Sequence, residues 1–509
     1  MRLLAQRLAD RASRTGAATA LVHGARRVTW AELQAEAGRF HAALAARGVR
    51  PGDRVAVLGE NSPEVAAAIY GVLGAGAVLV VLNAGARASE MLHLMAHAEV
   101  GALLADAAHP EFAALLADRP EALPTLCWGG AGAGEGPTEH PGTTRWERLR
   151  ETLEPAPPDE ADADAPAAIV YTSGTTGAPK GVVLRHRNYA ANVDAVLQTV
   201  PLDETDRTLC LLPFHYAFGA SVLHTHVSAG AALVLENSLA FPQRVLAVAV
   251  AERVTTLPGV PSTFALLLKR GRLSTFDLSS VRTVLQAGGA LPPSLADELA
   301  AALPGARLHL MYGQTEATAR LTCLPPERLA EKRGSCGRAI PGVELKIIDA
   351  ESEAPLPPGT SGEVCARGDN IMAGYWRDAA LGERVLRGGW LHTGDIGRLD
   401  AEGFLFLDGR RDDMIKTGAH RVSPFEIEEV VQRFEGVEEA VAIGVPDELL
   451  GQMVKVFIQT RPDALVDTQA VQRHCREHLP SYKVPRLVVL VSALPRTPSG
   501  KVLRRLLEV

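Results

Sequence analysis

The sequence predicts a two-part α/β protein: a large N-terminal domain of doubly wound or mixed sheets with helices, and a small C-terminal α+β domain. Three observations carry this. Strand-like apolar runs alternate with helical ones through the first four-fifths of the chain, the mark of helices packed on both faces of largely parallel sheets. The texture changes near residue 410, where the charged cluster Arg410-Arg411-Asp412-Asp413 follows the strand-like Phe404-Leu405-Phe406-Leu407. Finally, 509 residues exceed the roughly 100–200 that one domain usually holds.

The elements follow in order. Arg54-Val55-Ala56-Val57-Leu58 reads as a strand. Ser62 then caps a helix with Pro63 in its first turn, and Ala77 to Leu82 reads as a buried parallel strand. The stretch from Val65 to Ala86 carries no charge, but Gly71, Gly74 and Gly76 interrupt it. It therefore reads as a buried helix–strand pair and not as a membrane span. From Gly129 to about Pro166 the chain is rich in Gly, Pro and acids, so a surface connection is expected. The alternating pattern resumes at Ala168. Strands at Val281–Ala287 and Leu308–Met311 end in the glycine turns Gly288-Gly289 and Tyr312-Gly313, at the strand ends where open sheets bind ligands.

Beyond residue 410, Ser423-Pro424-Phe425-Glu426 reads as a capping box. Strands at Ala440–Val445, Val454–Gln459 and Leu487–Val491 alternate with a helix over 467–478. The expected frame is a domain over 1–409, a domain over 413–509, and a hinge near Asp412. Apolar and charged fractions of 47% and 22% are those of a water-soluble globular protein. A net charge of −7 gives no reason to expect nucleic acid or an anionic membrane as partner. The six cysteines are scattered without metal or redox spacing, and the N-terminus has charges in every apolar run. Reduced thiols, no signal peptide and a cytoplasmic protein follow as expectations.

The run Tyr171-Thr172-Ser173-Gly174-Thr175-Thr176-Gly177-Ala178-Pro179-Lys180-Gly181 is the most chemically loaded in the chain. Glycines let successive N–H groups approach an anion, the hydroxyls add donors, and Lys180 adds a charge. Such a loop suits nucleotide phosphates. It lacks the Gly-Lys-Ser/Thr ending of the common phosphate loop. A strand feeds it and a helix is expected near Asn188.

The run resembles the signature of the adenylate-forming superfamily of AMP-dependent synthetases and ligases, most like acyl-CoA synthetases and stand-alone acyl-activating ligases. Four further motifs stand in that superfamily's order: Tyr312-Gly313-Gln314-Thr315-Glu316, Thr393-Gly394-Asp395, Gly409-Arg410-Arg411-Asp412 and Pro498-Ser499-Gly500-Lys501. The resemblance covers essentially the whole chain. It implies that a carboxylic acid is joined to the α-phosphate of ATP with loss of pyrophosphate, then passed to a thiol, most often that of CoA. A carrier-protein phosphopantetheine thiol, an amine or another nucleophile stays open as the acceptor. Catalysis in such a reaction rests on charge neutralisation and alignment.

Residue by residue, the resemblance gives the β- and γ-phosphates to Thr172, Ser173, Gly174, Thr175, Thr176, Gly177 and Lys180. It gives a phosphate contact to Thr315 and a Mg²⁺ carboxylate to Glu316. The adenine slot falls to Gly288, Gly289, Ala290 and Tyr312, with Gly313 and Gln314 beside it, and the ribose to Asp395. Arg410 faces ribose or phosphate, and Lys501 reaches the α-phosphate and the acyl carboxylate. Asp412 is the hinge between half-reactions, and the loop Gly418-Ala419-His420-Arg421 serves the thiol step. The segment Pro213 to Ser221 resembles the acid-binding motif, giving a pocket of His215, Ala217, Phe218, Gly219, Ser221, Gly288 and Met311. His215 stands where amino-acid-activating members carry an aspartate. That departure turns the expectation from α-amino acids toward fatty, aromatic or otherwise unsubstituted acids, with His215 as a polar catalytic anchor. A monomer or homodimer is expected.

Overall fold

The computed structural model describes residues 1–129, 141–172, 180–411, 413–417, 420–447, 450–461, 464–496 and 502–507. Two compact units emerge. The first comprises Met1–Glu331, Ala339–Glu344 and Arg367–Leu391; the second comprises Lys332–Arg338, Leu345–Ala366 and His392–Val509.

In the first unit, one sheet runs Gly374–Tyr375, Lys180–Arg185, Pro166–Thr172, Val78–Val81, Arg54–Leu58, Val100–Asp106, Thr125–Trp128 and Thr143–Arg145. Its inner strands are parallel, and the Pro166–Thr172 and Lys180–Arg185 pair is antiparallel. A second set runs Thr322–Leu324, Arg307–Tyr312, Thr283–Gln286, Thr256–Gly259, Arg207–Cys210, Ala232–Leu235, Thr19–His23 and Arg26–Thr29. Parallel order there places the carboxyl ends of three successive strands side by side.

Local signals explain the elements. Ser62 Oγ accepts from the Val65 N–H at 3.2 Å, capping the helix Pro63–Gly74. Every residue of that helix but Glu64 is buried, as the charge-free run from Val65 onward demands. No described helix is long and apolar enough to cross a membrane.

The Gly/Pro/acid-rich connection hides an ordered piece. Thr143–Arg145 forms a strand and Trp146–Arg150 a short helix. Trp146 is only 1% exposed, stacks on Phe40 with centroids 3.9 Å apart, and donates its Nε1–H to Glu36 at 2.7 Å. One large aromatic with a polar handle overrides the loop-like composition around it.

The second unit pairs Trp390–Leu399 with Leu405–Arg410 in antiparallel register. It also holds a five-stranded sheet in which Val437–Asp447, Gly451–Thr460 and Leu487–Val491 are neighbours. The helices Pro424–Gln432 and Thr468–His478 bury Ile427, Val431, Val471 and Cys475 in its core. Ser423 makes no capping bond, contrary to the capping-box expectation; its hydroxyl donates to the Asp408 carbonyl instead. Arg410 is the last residue of its strand and not part of a charged segment beyond it.

Candidate active site

The hydroxyl- and glycine-rich run is framed by two strands. Thr172 ends one and stands opposite Lys180, which begins the other. Ser173, Gly174, Thr175, Thr176 and Gly177 lie outside the described residues. The expected helix spans His186–Thr199, but the strand Lys180–Arg185 comes before it. Asn188 in its first turn accepts from the Arg185 N–H at 2.7 Å and donates to the carbonyls of Asp369 and Ile371.

Carboxyl ends of the parallel strands carry the next group. Gly288 has φ +81, and Gln286 Nε2 donates to the Gly289 carbonyl at 2.8 Å, pinning the turn that leads to Ala290. Tyr312 closes its strand. A Cβ at Gly313 would lie 1.8 Å from the Ala319 carbonyl oxygen, so no other residue fits unless the facing turn moves. Gln314 Nε2 is buried without a hydrogen-bond partner among the described residues.

Thr315 and Glu316 sit in the 3-10 turn Thr315–Ala317. The Glu316 carboxylate accepts from Tyr375 Oη at 2.8 Å, and its carbonyl accepts from the Met372 N–H at 2.9 Å. Beyond the turn, Thr318 and Ala319 take left-handed φ of 54 and 85. Non-glycine residues there cost on the order of 1–3 kcal/mol each, and such strain clusters at functional sites. Thr318 Oγ1 donates to the Asn370 carbonyl at 2.7 Å, while Asn370 Nδ2 donates to the Ala317 and Arg320 carbonyls. Tyr375 and Asn370 escaped the sequence reading; Asp369-Asn370-Ile371-Met372-Ala373-Gly374-Tyr375 carries no pattern that singles them out.

Of the residues expected at the acid pocket, Ala217, Phe218, Gly219 and Ser221 lie in the first turns of the helix Ala217–Ala229. Buried Asn61 donates to the Leu212 carbonyl and accepts from the Phe214 N–H, fixing the segment ahead of His215. Phe218 packs against the cluster that contains Met311, Ala287 and Cys323. His215 Nε2 and Ser221 Oγ are buried without hydrogen-bond partners among the described residues. Burial pulls the His215 imidazole down to about 4, so it is neutral near pH 7. His215 also lines a cavity of about 20 Å³ with Ile169, Tyr189, Phe214 and His224. That volume admits about one water, so the cavity itself does not house an acid. A Cβ at Gly219 would lie 2.1 Å from the Pro213 carbonyl oxygen, so this glycine packs the helix start against the preceding segment.

In the second unit, Asp395 and Arg410 lie opposite each other on neighbouring strands, with Nε 2.7 Å from Oδ1. Thr393 Oγ1 donates to the Val364 carbonyl and accepts from the Asp395 N–H, setting the turn. The backbone of His420 and Arg421 forms a strand paired with Ile415–Thr417. Asp412, Gly418, Ala419 and Lys501 lie outside the described residues, as do the His420 and Arg421 side chains.

Comparison with known proteins follows these landmarks. Residues 8–376 match the family described as AMP-binding enzyme, and residues 426–501 match the AMP-binding enzyme C-terminal domain. The chain is 34% identical to the feruloyl-CoA synthase of an Amycolatopsis species, covering 96% of this chain and 94% of the relative. It is 32% identical to the 3-[(3aS,4S,7aS)-7a-methyl-1,5-dioxo-octahydro-1H-inden-4-yl]propanoyl:CoA ligase of Rhodococcus jostii, over 97% and 96% of the two chains. Among solved structures, ATP-bound MatB from Rhodopseudomonas palustris superposes with a TM-score of 0.89 at 29% identity, over 100% and 98% of the chains. Family matches to both parts of the chain, in the order the motifs predicted, establish that this protein belongs to the AMP-binding, adenylate-forming enzyme family.

Proposed function

We propose that this protein is an AMP-forming acid–CoA ligase. A carboxylate oxygen of the acid attacks the α-phosphorus of ATP and pyrophosphate leaves. The CoA thiolate then attacks the acyl carbon and AMP leaves. The observation that carries this reading is the turn after the strand Arg307–Tyr312. It presents Thr315 and Glu316 beside the Gly288-Gly289 turn, at the carboxyl ends of adjacent parallel strands. Ligands of open α/β sheets bind at such ends.

The Glu316 site fits a magnesium ion. Tyr375 occupies one carboxylate oxygen as a neutral donor, and among the described residues no lysine or arginine competes for the other. Mg²⁺ held by Glu316 together with phosphate oxygens supplies charge neutralisation. Thr172 to Gly177 and Lys180 then hold the outer phosphates, Gly288 to Ala290 and Tyr312 the adenine, and Asp395 with Arg410 the ribose. Lys501 serves adenylation, and the 418–421 loop serves the thiol step after movement about Asp412, with domains over 1–409 and 413–509. His215, as a neutral imidazole, anchors the acid. Free cysteines, five of the six buried, suit a reducing cytoplasm.

The test is AMP release by the purified protein with ATP, Mg²⁺ and a panel of carboxylic acids, with and without CoA. Sustained AMP release that requires both acid and CoA is expected. Absence of any acid-dependent AMP or pyrophosphate overturns the reading. An acyl-AMP that CoA fails to discharge reassigns the acceptor to a carrier-protein thiol or an amine.

A further inference from the structure

Arg320 is 1% exposed, and none of its three guanidinium nitrogens has a hydrogen-bond partner among the described residues. No carboxylate pairs with it among the described residues. Its Cζ lies 5.2 Å from the centre of the ring of Phe218, one of the residues the sequence assigns to the acid pocket.

The groups facing it do not supply the missing charge. His226 Nε2 and His309 Nε2 are buried without hydrogen-bond partners among the described residues, and desolvation holds both imidazoles near 4, hence neutral. The Cys323 thiol, 3.8 Å from His309 Nδ1, is pushed up to about 12 by burial and stays protonated. Burial lowers the Arg320 guanidinium only to about 10, so it remains a cation at neutral pH. A buried unpaired charge is among the costliest features a fold can carry.

A structural role does not account for it. Buried Arg119 shows how this chain treats an arginine that holds structure: its terminal nitrogens donate to the carbonyls of Pro120, Leu123 and Pro141 and to Thr143 Oγ1. Arg320 holds nothing. Its backbone is what is held: its carbonyl accepts from Asn192 and Asn370, directly after the strained Thr318–Ala319 turn. The fold thus fixes the root of a side chain whose head is unsatisfied.

We propose that Arg320 binds a second carboxylate on the acid substrate, so that the protein activates dicarboxylic acids. One carboxylate goes to ATP and the other stays on the guanidinium. The inference rests on the ligase reading above. A planar fork of free N–H donors matches a carboxylate in two-bond geometry, and a neutral carbonyl or hydroxyl would leave the charge uncompensated.

The experiment compares acid-dependent AMP release for straight-chain dicarboxylic acids with monocarboxylic acids of equal length, and for terephthalate with benzoate. Wild type is compared with Arg320→Met and Arg320→Lys. A site built around a buried polar group rejects analogues that lack its partner strongly, so wild type should prefer a diacid by at least about 100-fold in kcat/KM. Arg320→Met should lose most of that preference and gain on monoacids, and Arg320→Lys should keep part of it. Without ATP, the preferred diacid should raise the melting temperature of wild type but not of Arg320→Met. Monoacids used as well as diacids by wild type, or an unchanged preference in a folded Arg320→Met, overturn the proposal while leaving the ligase reading intact. An Arg320-dependent melting shift produced by ATP alone also overturns it, by giving the guanidinium to the nucleotide. If no acid supports AMP release, both readings fall. Should Arg320→Met fail to fold, the wild-type acid comparison decides.

Discussion

Arg410 Nε stands 2.7 Å from Asp395 Oδ1, across directly opposed positions of two antiparallel strands. The carboxylate is 8% exposed and the guanidinium 46%, so the pair sits at the edge of solvent. Arg410→Ala takes a charged partner from a buried carboxylate and should cost about 1–3 kcal/mol in urea unfolding, while raising the KM for ATP in AMP release. A large stability loss with unchanged ATP dependence would make the pair structural.

Glu316→Gln keeps an oxygen that can accept from Tyr375 but removes the charge. The melting temperature should therefore stay near that of wild type, while the Mg²⁺ concentration for half-maximal AMP release rises by about 10-fold or more. Tyr375→Phe should retain the Mg²⁺ requirement with a smaller loss of rate. An unaltered Mg²⁺ response in Glu316→Gln would remove Glu316 from the metal site.

Five histidines of the first unit, His186, His215, His224, His226 and His309, are pulled down to between about 3 and about 4 by burial. In the unfolded chain each regains a value near 6.5, so between that pH and about 4 the unfolded state binds protons that the native state does not. Stability is therefore fully present above pH ~6.5 and falls as the pH drops toward 4. The melting temperature should decline steeply over that window, with several protons taken up per molecule unfolded. A flat profile between pH 6.5 and 5 would contradict the neutral, desolvated state of these rings.

Gly313→Ala places a methyl where the Ala319 carbonyl oxygen already sits. The Thr318–Ala319 turn must move, so a loss of about 2 kcal/mol or more is expected, comparable to other overpacked sites. Thermal unfolding checks this, and a near-neutral effect would show that the turn adjusts freely.

Lys501→Ala should abolish acyl-AMP formation from ATP and acid while largely sparing thioester formation from supplied acyl-AMP. Equal loss in both half-reactions would argue against separate poses for the two steps.

Much of this protein was legible before its structure. The charge-free run from Val65, the strand Arg54–Leu58 and the glycine turns at strand ends carry strong local signals, and each element formed close to where its pattern placed it. Trp146 was not legible, because a single aromatic anchor leaves no periodic trace in a Gly- and Pro-rich segment. Arg320 was missed for another reason. In Thr318-Ala319-Arg320-Leu321 it reads as an ordinary turn charge, and only the absence of a hydrogen-bond partner among the described residues makes it conspicuous. Sequence patterns report what a residue type prefers, whereas an unsatisfied group is a property of three-dimensional surroundings.

The connection between the strands Arg307–Tyr312 and Thr322–Leu324 carries Glu316 near its start and Arg320 near its end, separated by the strained pair. On the roles proposed above, the magnesium carboxylate and the group that selects the acid share one short connection at different positions. Replacements at Arg320 then change which acid is taken while Glu316 stays untouched.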